Sequence, residues 1–278
     1  MDDKEFSQLL QYLGLSWQGY RKVRKGVKKR VSRRMQSLGC GSMLDYLQAL
    51  EQHTETRAQC ELATTVPISR FFRDRILWKA LESHLLPELI SAGRDRIRLW
   101  SAGCACGEEV YSLKILWEEM RRSTCALPIL DITATDLNPL HLERAEAGVY
   151  SSSSLREVSE ERRSTWFEAE PVGRRFRLRA ELRDGIAWRR HDFFSDSPGS
   201  GFDLILARNN LLTYYERSRI HAPLEAIGKA LAVGGYLIIG SREKMPYSST
   251  LLQACRILPF AFKRAAAPQC RIPSGRVE

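Results

Sequence analysis

Long apolar runs are absent from this sequence, and so is a secretory signal. None of its 278 residues lies in an uninterrupted apolar stretch of about 18 or more, the length typical of a membrane-spanning helix. The N-terminus, Met-Asp-Asp-Lys-Glu, lacks the basic-then-apolar order of a signal peptide. We therefore expect a cytoplasmic protein with no membrane insertion.

Cysteine and histidine clusters with the spacing of a metal site or a catalytic nucleophile are also absent. The seven cysteines, an odd number, are scattered at positions 40, 60, 104, 106, 125, 255 and 270, which favours reduced thiols over a disulfide framework. Cys104-Ala-Cys106 has no second cysteine or histidine pair near it at ligand spacing. The five histidines have no partner spacing, and we expect them to be structural. The sequence therefore predicts no metal site.

Acidic residues are missing from the stretch 21–34, which holds nine lysines and arginines. Val23, Val27 and Val31 recur at every fourth position, and Tyr20 and Met35 extend this apolar stripe. The spacing predicts a helix that docks its apolar side and presents a broad cationic face. Such a face attracts nucleic acid, an acidic membrane or an acidic protein helix. The alternative is a solvated surface helix.

Apolar periodicity divides the chain into a helical part and an α/β part. We predict a helical N-terminal domain over residues 1–70, a main domain over 71–264 and a flexible tail over 265–278. A helix over 76–86 is predicted to stop at Pro87. Strands and helices then alternate, which predicts a doubly wound, Rossmann-like α/β sheet. The strands are predicted near 97–101, 129–135, 186–190, 202–207 and 235–240, and the helices near 109–121, 139–146 and 217–232.

Between residues 150 and 190 the alternation changes, and over about 160–190 apolar and polar residues alternate with a period of two. This pattern occurs in Arg174-Arg-Phe-Arg-Leu-Arg179 and again in Ile186-Ala-Trp-Arg189. Turn signals lie at Pro171-Val-Gly173 and Arg183-Asp-Gly185. We interpret the segment as a small antiparallel β insertion.

The strongest functional signal is the stretch from Leu99 to Leu113, followed by the predicted strand that ends at Asp136. A strand, a turn of small residues, a helix and a second strand ending on an acid form the layout of a nucleoside-binding βαβ unit. Gly103 permits close approach to the backbone, and Asp136 can accept hydrogen bonds from two ribose hydroxyls. The helix opens with Glu108 and Glu109, which disfavours a pyrophosphate. A cationic ligand without phosphate, such as S-adenosylmethionine, fits better.

Four blocks of sequence, in chain order, resemble those of the CheR-type chemoreceptor glutamate methyltransferases, which use S-adenosylmethionine. The resemblance runs from about residue 10 to 245. It implies a class I methyltransferase with a helical N-terminal domain, a small antiparallel β insertion and protein-glutamate O-methyltransferase activity in chemotaxis signalling. It also implies that the basic helix faces acidic chemoreceptor helices; we expect a monomer. The blocks are Phe71-Phe-Arg-Asp74, Trp100 to Ser112, Ala134 to Pro139 with Gly148-Val-Tyr150, and Phe202 to Asn209 with Tyr214 and Gly234 to Gly240.

Two segments depart from the family pattern. An Asn-x-Thr pair usually precedes Phe-Phe-Arg in the family, and here those positions hold Pro67 and Ser69. The run from Asn210 to Tyr215 is one residue longer than usual before the tyrosine, so that Thr213 takes the tyrosine position if no gap is allowed. Asn209 and Asn210 are alternative matches to the family's asparagine. These departures bear on substrate identity more than on cofactor binding.

The resemblance implies roles for individual residues around the cofactor. Glu108 would lie nearest the cofactor's amino group, with Glu109 the less favoured of the two, and Asp192 and Phe193 would meet the adenine. The alternatives are a helix N-cap for Asp136, a helix-stabilising carboxylate for Glu108 and a core position for Phe193. The predicted cofactor-binding residues are Ser69, Arg73, Gly103, Glu108, Asp136, Asp192, Phe193, Arg208 and Asn209.

The predicted catalytic residues are Arg73 and Tyr214. Arg73 would bind the cofactor's carboxylate or orient the incoming glutamate, and Tyr214 would hold the acceptor carboxylate through its hydroxyl. A surface ion pair with Asp74 is the alternative for Arg73, and a structural corner aromatic is the alternative for Tyr214. No general base is required, because a glutamate with a pKa of about 4.3 is already ionised at neutral pH.

Two rival functions remain open at this point. An RNA methyltransferase would use the basic helix to bind phosphates, although the cationic segment has no interleaved aromatic residues beyond its neighbour Tyr20. A sensor module would keep the cofactor site and lack an acceptor site, as Pro67 and the altered run before Tyr215 allow.

Overall fold

The structure is a computed structural model that describes residues 1–124, 126–195 and 198–266. Most of the predicted tail, residues 267–278, lies outside the described residues, as do Cys125 and Cys270. The predicted tail therefore stays a prediction.

The N-terminal part is built of helices, as predicted. A capping box begins the first helix, since the side chains of Asp2 and Glu5 each accept the other's backbone N–H. Gly14 ends that helix in the left-handed conformation at φ 64°. The bounds are Asp3–Leu13 (α1), Trp17–Tyr20 (α2), Arg24–Ser37 (α3), Met43–Gln52 (α4) and Thr54–Thr64 (α5).

The apolar stripe of α3 packs inward, which confirms that part of the prediction. Val27, Val31 and Met35 are buried in a hydrophobic cluster that also contains Phe6 and Tyr46. Periodic apolar residues therefore stabilise this strongly charged helix by burial against its neighbours.

The basic face of segment 21–34 is narrower than its nine charges suggest, because four of the basic side chains are only half exposed. Arg24 and Lys28 both form ion pairs with Asp3, at 3.3 and 2.9 Å. Arg30 donates to the carbonyls of Ala63 and Thr65 at the end of α5. The segment still presents an exposed basic face, which consists of Arg21, Lys22, Lys25, Lys29 and Arg33.

The chain stays helical beyond Pro87, so the predicted stop at that residue is wrong. Arg75–Ala80 (α6) leads into a π-helical turn over Leu81–Leu85, and Leu86–Ser91 (α7) continues the run. Pro87 stands at the start of α7. A proline is tolerated in the first turn of a helix, where its missing N–H has no partner to lose. The π-helical turn over Leu81–Leu85 interrupts the regular α-helical hydrogen bonds just before Pro87.

A seven-stranded sheet forms the centre of the α/β part and confirms the predicted fold class. The described strands are Arg96–Ala102 (β1), Ile129–Asp136 (β2), Val149–Ser151 (β3), Phe167–Ala169 (β4), Arg175–Leu178 (β5), Ile186–Arg190 (β6), Phe202–Ala207 (β7), Leu231–Ile239 (β8), Leu252–Ala254 (β9) and Ala261–Arg264 (β10). The strand order of the sheet is β6-β2-β1-β7-β8-β10-β9. The first five strands in this order pair in parallel, and β10 pairs antiparallel with β8 and β9.

The helices of the α/β part alternate with these strands. The longest, α8, follows β1 and buries Val110, Leu113 and Leu116 against the core. Their bounds are Glu108–Ser123 (α8), Pro139–Ala147 (α9), Glu160–Trp166 (α10), Ala180–Arg183 (α11), Leu211–Tyr214 (α12) and His221–Ala230 (α13). No helix in the three described ranges combines the length and the apolar character that crossing a membrane would require.

A separate antiparallel sheet of three strands, in the order β3-β5-β4, lies between β2 and β6 in the chain. Its strand Val149–Ser151 lies before the start of the predicted insertion in the sequence. The stretch Ile186–Arg190, in contrast, joins the main sheet and pairs in parallel with β2. A period of two fixes the strand conformation but leaves the choice of partner to tertiary packing.

The N-terminal helices are held against α12 by backbone hydrogen bonds. Ser16 donates its N–H to the carbonyl of Tyr214 at 2.8 Å, and Glu216 donates to that of Gly14 at 3.1 Å. The rings of Tyr20 and Tyr214 lie 5.0 Å apart. These contacts bring the helical part to the carboxyl ends of the parallel strands.

Candidate active site

A cleft of about 290 Å³ lies where the N-terminal helices meet the carboxyl ends of β1, β2, β6 and β7. This is the edge at which open parallel sheets bind ligands, because the loops after neighbouring strands diverge there. All predicted site residues except Glu108 line it: Ser69, Arg73, Gly103, Asp136, Asp192, Phe193, Arg208, Asn209 and Tyr214.

The turn after β1 forms one wall of the cleft. The N–H groups of Gly103 and Cys104 both donate to the carbonyl of Thr135, each at 2.8 Å. Gly103 has φ 77° and packs against the side-chain amide of Asn210, and a Cβ at position 103 would overlap that amide. Ala105 also has positive φ, at 49°. Glycine is required at 103 for both its conformation and its close packing.

Asp136 anchors this turn from the end of β2. Its Oδ2 accepts the N–H of Ala105 at 2.9 Å, and its Oδ1 accepts that of Asn138 at 2.9 Å and lies 3.1 Å from His141 Nδ1. Asn138, not Asp136, is the N-cap of α9, so the capping alternative for Asp136 is wrong. The carboxylate is buried and lines the cleft, where its oxygens can accept further donors.

Of the two glutamates that open α8, the structure brings Glu109 rather than Glu108 to the cleft. Glu108 is buried and accepts a hydrogen bond from Ser154 at 3.3 Å, while its Oε2 has no partner. Burial raises the pKa of Glu108. Glu109 accepts from the Ser101 hydroxyl at 3.1 Å. Successive helical residues point about 100° apart, so only one of an adjacent pair can face the cleft.

Arg208 joins three segments at the wall of the cleft. Its Nη1 lies 2.6 Å from Glu109, and its Nη2 lies 2.5 Å from Asp74 and 3.3 Å from the carbonyl of Arg73. The side chain is 4% exposed, and its Nε has no partner. Arg208 therefore ties the end of β7 to the start of α8 and to the loop before α6.

Arg73 and Tyr214 both line the cleft. Arg73 makes one long contact with the carbonyl of Ile68, at 3.4 Å. Its expected alternative partner, Asp74, is engaged by Arg208. Burial raises the pKa of Tyr214, and the charge of Arg73 acts in the opposite direction. Phe72 and Asp74, on either side of Arg73, have φ of 51° and 65°, and such strain clusters at functional sites.

Asp192 and Phe193 follow β6 at the far side of the cleft. Asp192 accepts the N–H of Phe194 at 3.0 Å. Phe193 meets the ring of His191 edge-on at 6.2 Å and is partly buried against the core. The pair thus presents a carboxylate and an aromatic ring together, although Phe193 is in part a core residue as well.

The structure resolves where the residues of the lengthened run lie. The hydroxyl of Thr213 donates to Glu243 and does not line the cleft, whereas Tyr214 and Tyr215 do. Asn209 and Asn210 both line it. Pro67 is not among the lining residues, and Ser69 is.

Several lining residues were not predicted from the sequence. Sequence reasoning placed His141 and His191 among structural histidines, but both line the cleft. The N-terminal helices add residues whose sequence carries no separate motif. The additional lining residues include Tyr20, Arg57, Glu61, Thr65, Arg70 and Arg219.

No cluster of three or more His, Cys, Asp or Glu side chains in the described parts of the chain could hold a metal ion. Cys104 lines the cleft, and burial raises the pKa of its thiol. A buried thiol of raised pKa is a poor nucleophile and a poor metal ligand.

Residues 68–258 match the family described as CheR methyltransferase, SAM binding domain. A chemotaxis protein methyltransferase of Listeria monocytogenes is 39% identical over 65% of this chain and 66% of its own length. This chain thus spans slightly less than two thirds of that relative. Chemotaxis protein methyltransferase 1 of Pseudomonas aeruginosa is 31% identical over 79% of this chain and 81% of its own.

Among solved structures, one similar chain is the N-methyltransferase NodS of Bradyrhizobium japonicum in complex with S-adenosyl-l-homocysteine. It is 19% identical, with a TM-score of 0.33, over 60% of this chain and 63% of its own.

Proposed function

Because the chain belongs to the CheR methyltransferase family, we propose that it transfers the methyl group of S-adenosylmethionine to a glutamate side chain of a chemoreceptor-type helix. The family match supports the cofactor, and relatives named as chemotaxis protein methyltransferases support the receptor class of substrate. A cytoplasmic location and a monomeric state belong to the same proposal.

One observation carries the choice of an anionic acceptor: among the described residues, three of the five cleft arginines, Arg70, Arg73 and Arg219, have no carboxylate partner. Arg57 pairs with Glu61, and Arg208 pairs with Asp74 and Glu109. Arg219 donates to the carbonyl of Leu13. Arg70 forms no ion pair in the described ranges, and Arg73 has only the contact with the Ile68 carbonyl. An unneutralised, half-buried guanidinium favours binding of a carboxylate.

S-adenosylmethionine supplies a methyl group on a positively charged sulfur. Asp136 accepts the ribose hydroxyls, and Gly103 lets the ligand approach the backbone. Asp192 and Phe193 bind the adenine, while Ser69 and Asn209 complete the walls. Glu109 provides the cleft carboxylate that binds the ammonium group of the cofactor. This changes the expectation for Glu108, whose carboxyl lies behind the wall on Ser154.

The remaining residues act on the acceptor. Arg73 and the hydroxyl of Tyr214 hold the acceptor carboxylate, and the aromatic side chains of Tyr20 and Tyr215 exclude water from it. Positioning and desolvation supply the rate enhancement, because the acceptor is already an anion. These roles rest on the resemblance to the family, and the charge balance of the cleft supports them.

The exposed basic face of Arg21, Lys22, Lys25, Lys29 and Arg33 recruits the acidic substrate helix. Lys25, Lys29 and Arg33 are spaced by four residues, so their side chains share one side of α3. Complementary charge accelerates encounter over distances of about a Debye length.

The experiment is a tritiated-methyl transfer assay with two acceptors, a synthetic acidic chemoreceptor helix and bulk RNA. We expect label on the peptide that alkali releases, because methyl esters hydrolyse in base. Alkali-stable label on RNA would establish an RNA methyltransferase instead. Cofactor binding without transfer to either acceptor would establish the sensor function.

A further inference from the structure

Glu243, in the loop after β8, places its carboxylate behind the cleft. One oxygen, Oε2, accepts the backbone N–H of Asn209 at 3.0 Å and that of Gly240 at 2.5 Å. The other, Oε1, accepts the hydroxyl of Thr213 at 2.5 Å. A single side chain thus bonds to the ends of β7 and β8 and to α12.

The backbone at Asn209 needs this support. Asn209 has φ 52°, a left-handed conformation that costs free energy for a residue other than glycine. A Cβ at Gly240 would lie 2.7 Å from Glu243 Oε2 and 2.8 Å from Asn209 Oδ1. Glycine at 240 therefore allows Glu243 and Asn209 to approach each other.

The helix α12 needs support as well. It has four residues, Leu211–Tyr214, and a single helical turn is unstable without tertiary contacts. Thr213 bonds it to Glu243 on one side, and the carbonyl of Tyr214 accepts the Ser16 N–H on the other. The charge of Glu243 also contributes to the raised pKa of Tyr214.

We propose that Glu243 is a positioning residue with two arms: a backbone arm through Asn209 that shapes the cofactor wall, and a side-chain arm through Thr213 that orients Tyr214. The side-chain arm rests on the proposed function, since it acts on the residue assigned to the acceptor. The backbone arm acts on binding alone and is tested without any acceptor.

Three variants separate the arms. Glu243→Gln keeps all three hydrogen bonds, because its amide oxygen accepts the two N–H groups and its NH₂ donates to Thr213. Thr213→Val removes only the hydrogen bond of the side-chain arm. Glu243→Ala removes the hydrogen bonds of both arms. Glu225→Ala, which removes an exposed carboxylate paired with Lys229, is the matched control.

Calorimetry with S-adenosylhomocysteine measures the backbone arm. We expect Glu243→Ala to raise the Kd about 10-fold, as the loss of charge-assisted hydrogen bonds predicts. Thr213→Val and Glu225→Ala should leave the Kd unchanged, and Glu243→Gln should stay within about 3-fold. An unchanged Kd in a folded Glu243→Ala variant overturns this arm, and this result is independent of whether any substrate is methylated.

Methyl transfer to the acidic peptide measures the side-chain arm. Thr213→Val should lower kcat about 10-fold, and it should have no further effect when Tyr214 is already Phe, because it acts through the phenol. Additive losses in the double variant, or wild-type kcat in Thr213→Val, overturn this arm. A wild-type protein that methylates no acceptor contradicts the proposed function and with it the side-chain arm, whereas the S-adenosylhomocysteine result still decides the backbone arm.

Discussion

Arg208 Nη1 and Glu109 Oε2 lie 2.6 Å apart at the wall of the cleft, so the end of β7 is bonded directly to the first turn of α8. The same guanidinium reaches Asp74 at 2.5 Å. A buried arginine between two carboxylates is neutralised, and removal of one partner would leave a buried charge uncompensated. Arg208 bonds to Glu109 and Asp74 and also lines the cleft, so its predicted part in cofactor binding stays a prediction.

Asp136→Ala should weaken binding of both S-adenosylmethionine and S-adenosylhomocysteine by about 2–4 kcal/mol, because two hydrogen bonds to a charged acceptor are lost. Calorimetry measures the effect. Asp131→Ala, at the start of the same strand and paired with Arg96, is the control and should bind normally. Equal affinity of the Asp136 variant and the wild type would remove Asp136 from the binding site.

Arg73→Lys should fold normally and lose most methyl transfer activity, since a point charge cannot replace a planar bidentate guanidinium. Initial rates with the acidic peptide provide the measurement, and circular dichroism checks the fold. The matched control is Arg75→Lys, whose side chain is 72% exposed and paired with Glu157. Full turnover in Arg73→Lys would assign Arg73 a surface role.

Reversal of Lys25, Lys29 and Arg33 to Glu should strongly raise KM for the acidic peptide and leave cofactor affinity unchanged. Lys28 is a poor choice for this test because it pairs with Asp3. Salt from about 0.05 to 0.5 M should weaken the wild type and barely affect the variant, since the Debye length falls from about 14 to about 4 Å. The control reverses the exposed Lys79, Lys244 and Arg256. If the charge-reversal variant has an unchanged KM at low salt, α3 is a solvated surface helix.

Glu108 should make the folded protein less stable as pH rises. Burial raises its pKa in the folded state above the unfolded value of about 4.3, so the folded state binds the proton more tightly. The stabilisation is therefore complete below the unfolded pKa and is lost as pH rises through the folded pKa. Urea unfolding of the wild type and of Glu108→Gln, from pH 4 to 8, measures it: the free energy of unfolding of the wild type should fall relative to the variant. Parallel pH curves would contradict the raised pKa.

Local pattern was enough to predict the elements around the cleft. The periodicities of β1, α8 and β2 depend on residues close in sequence, and a strand followed by a small-residue turn and a helix has few alternatives. The position of Asp136 at the end of β2 follows from the same pattern. These features were therefore predicted at nearly the observed bounds.

Tertiary structure alone decided which side chains meet at the cleft. Glu108 and Glu109 are adjacent in sequence, and only the rotation of α8 against the sheet makes Glu109 the one that faces the cleft. Glu243 reaches Asn209 and Thr213 across 34 and 30 residues, and Tyr20 reaches Tyr214 from another part of the chain. Sequence periodicity determines which face of an element is apolar, but contacts between distant segments depend on how those faces pack together, and packing is a property of the whole fold.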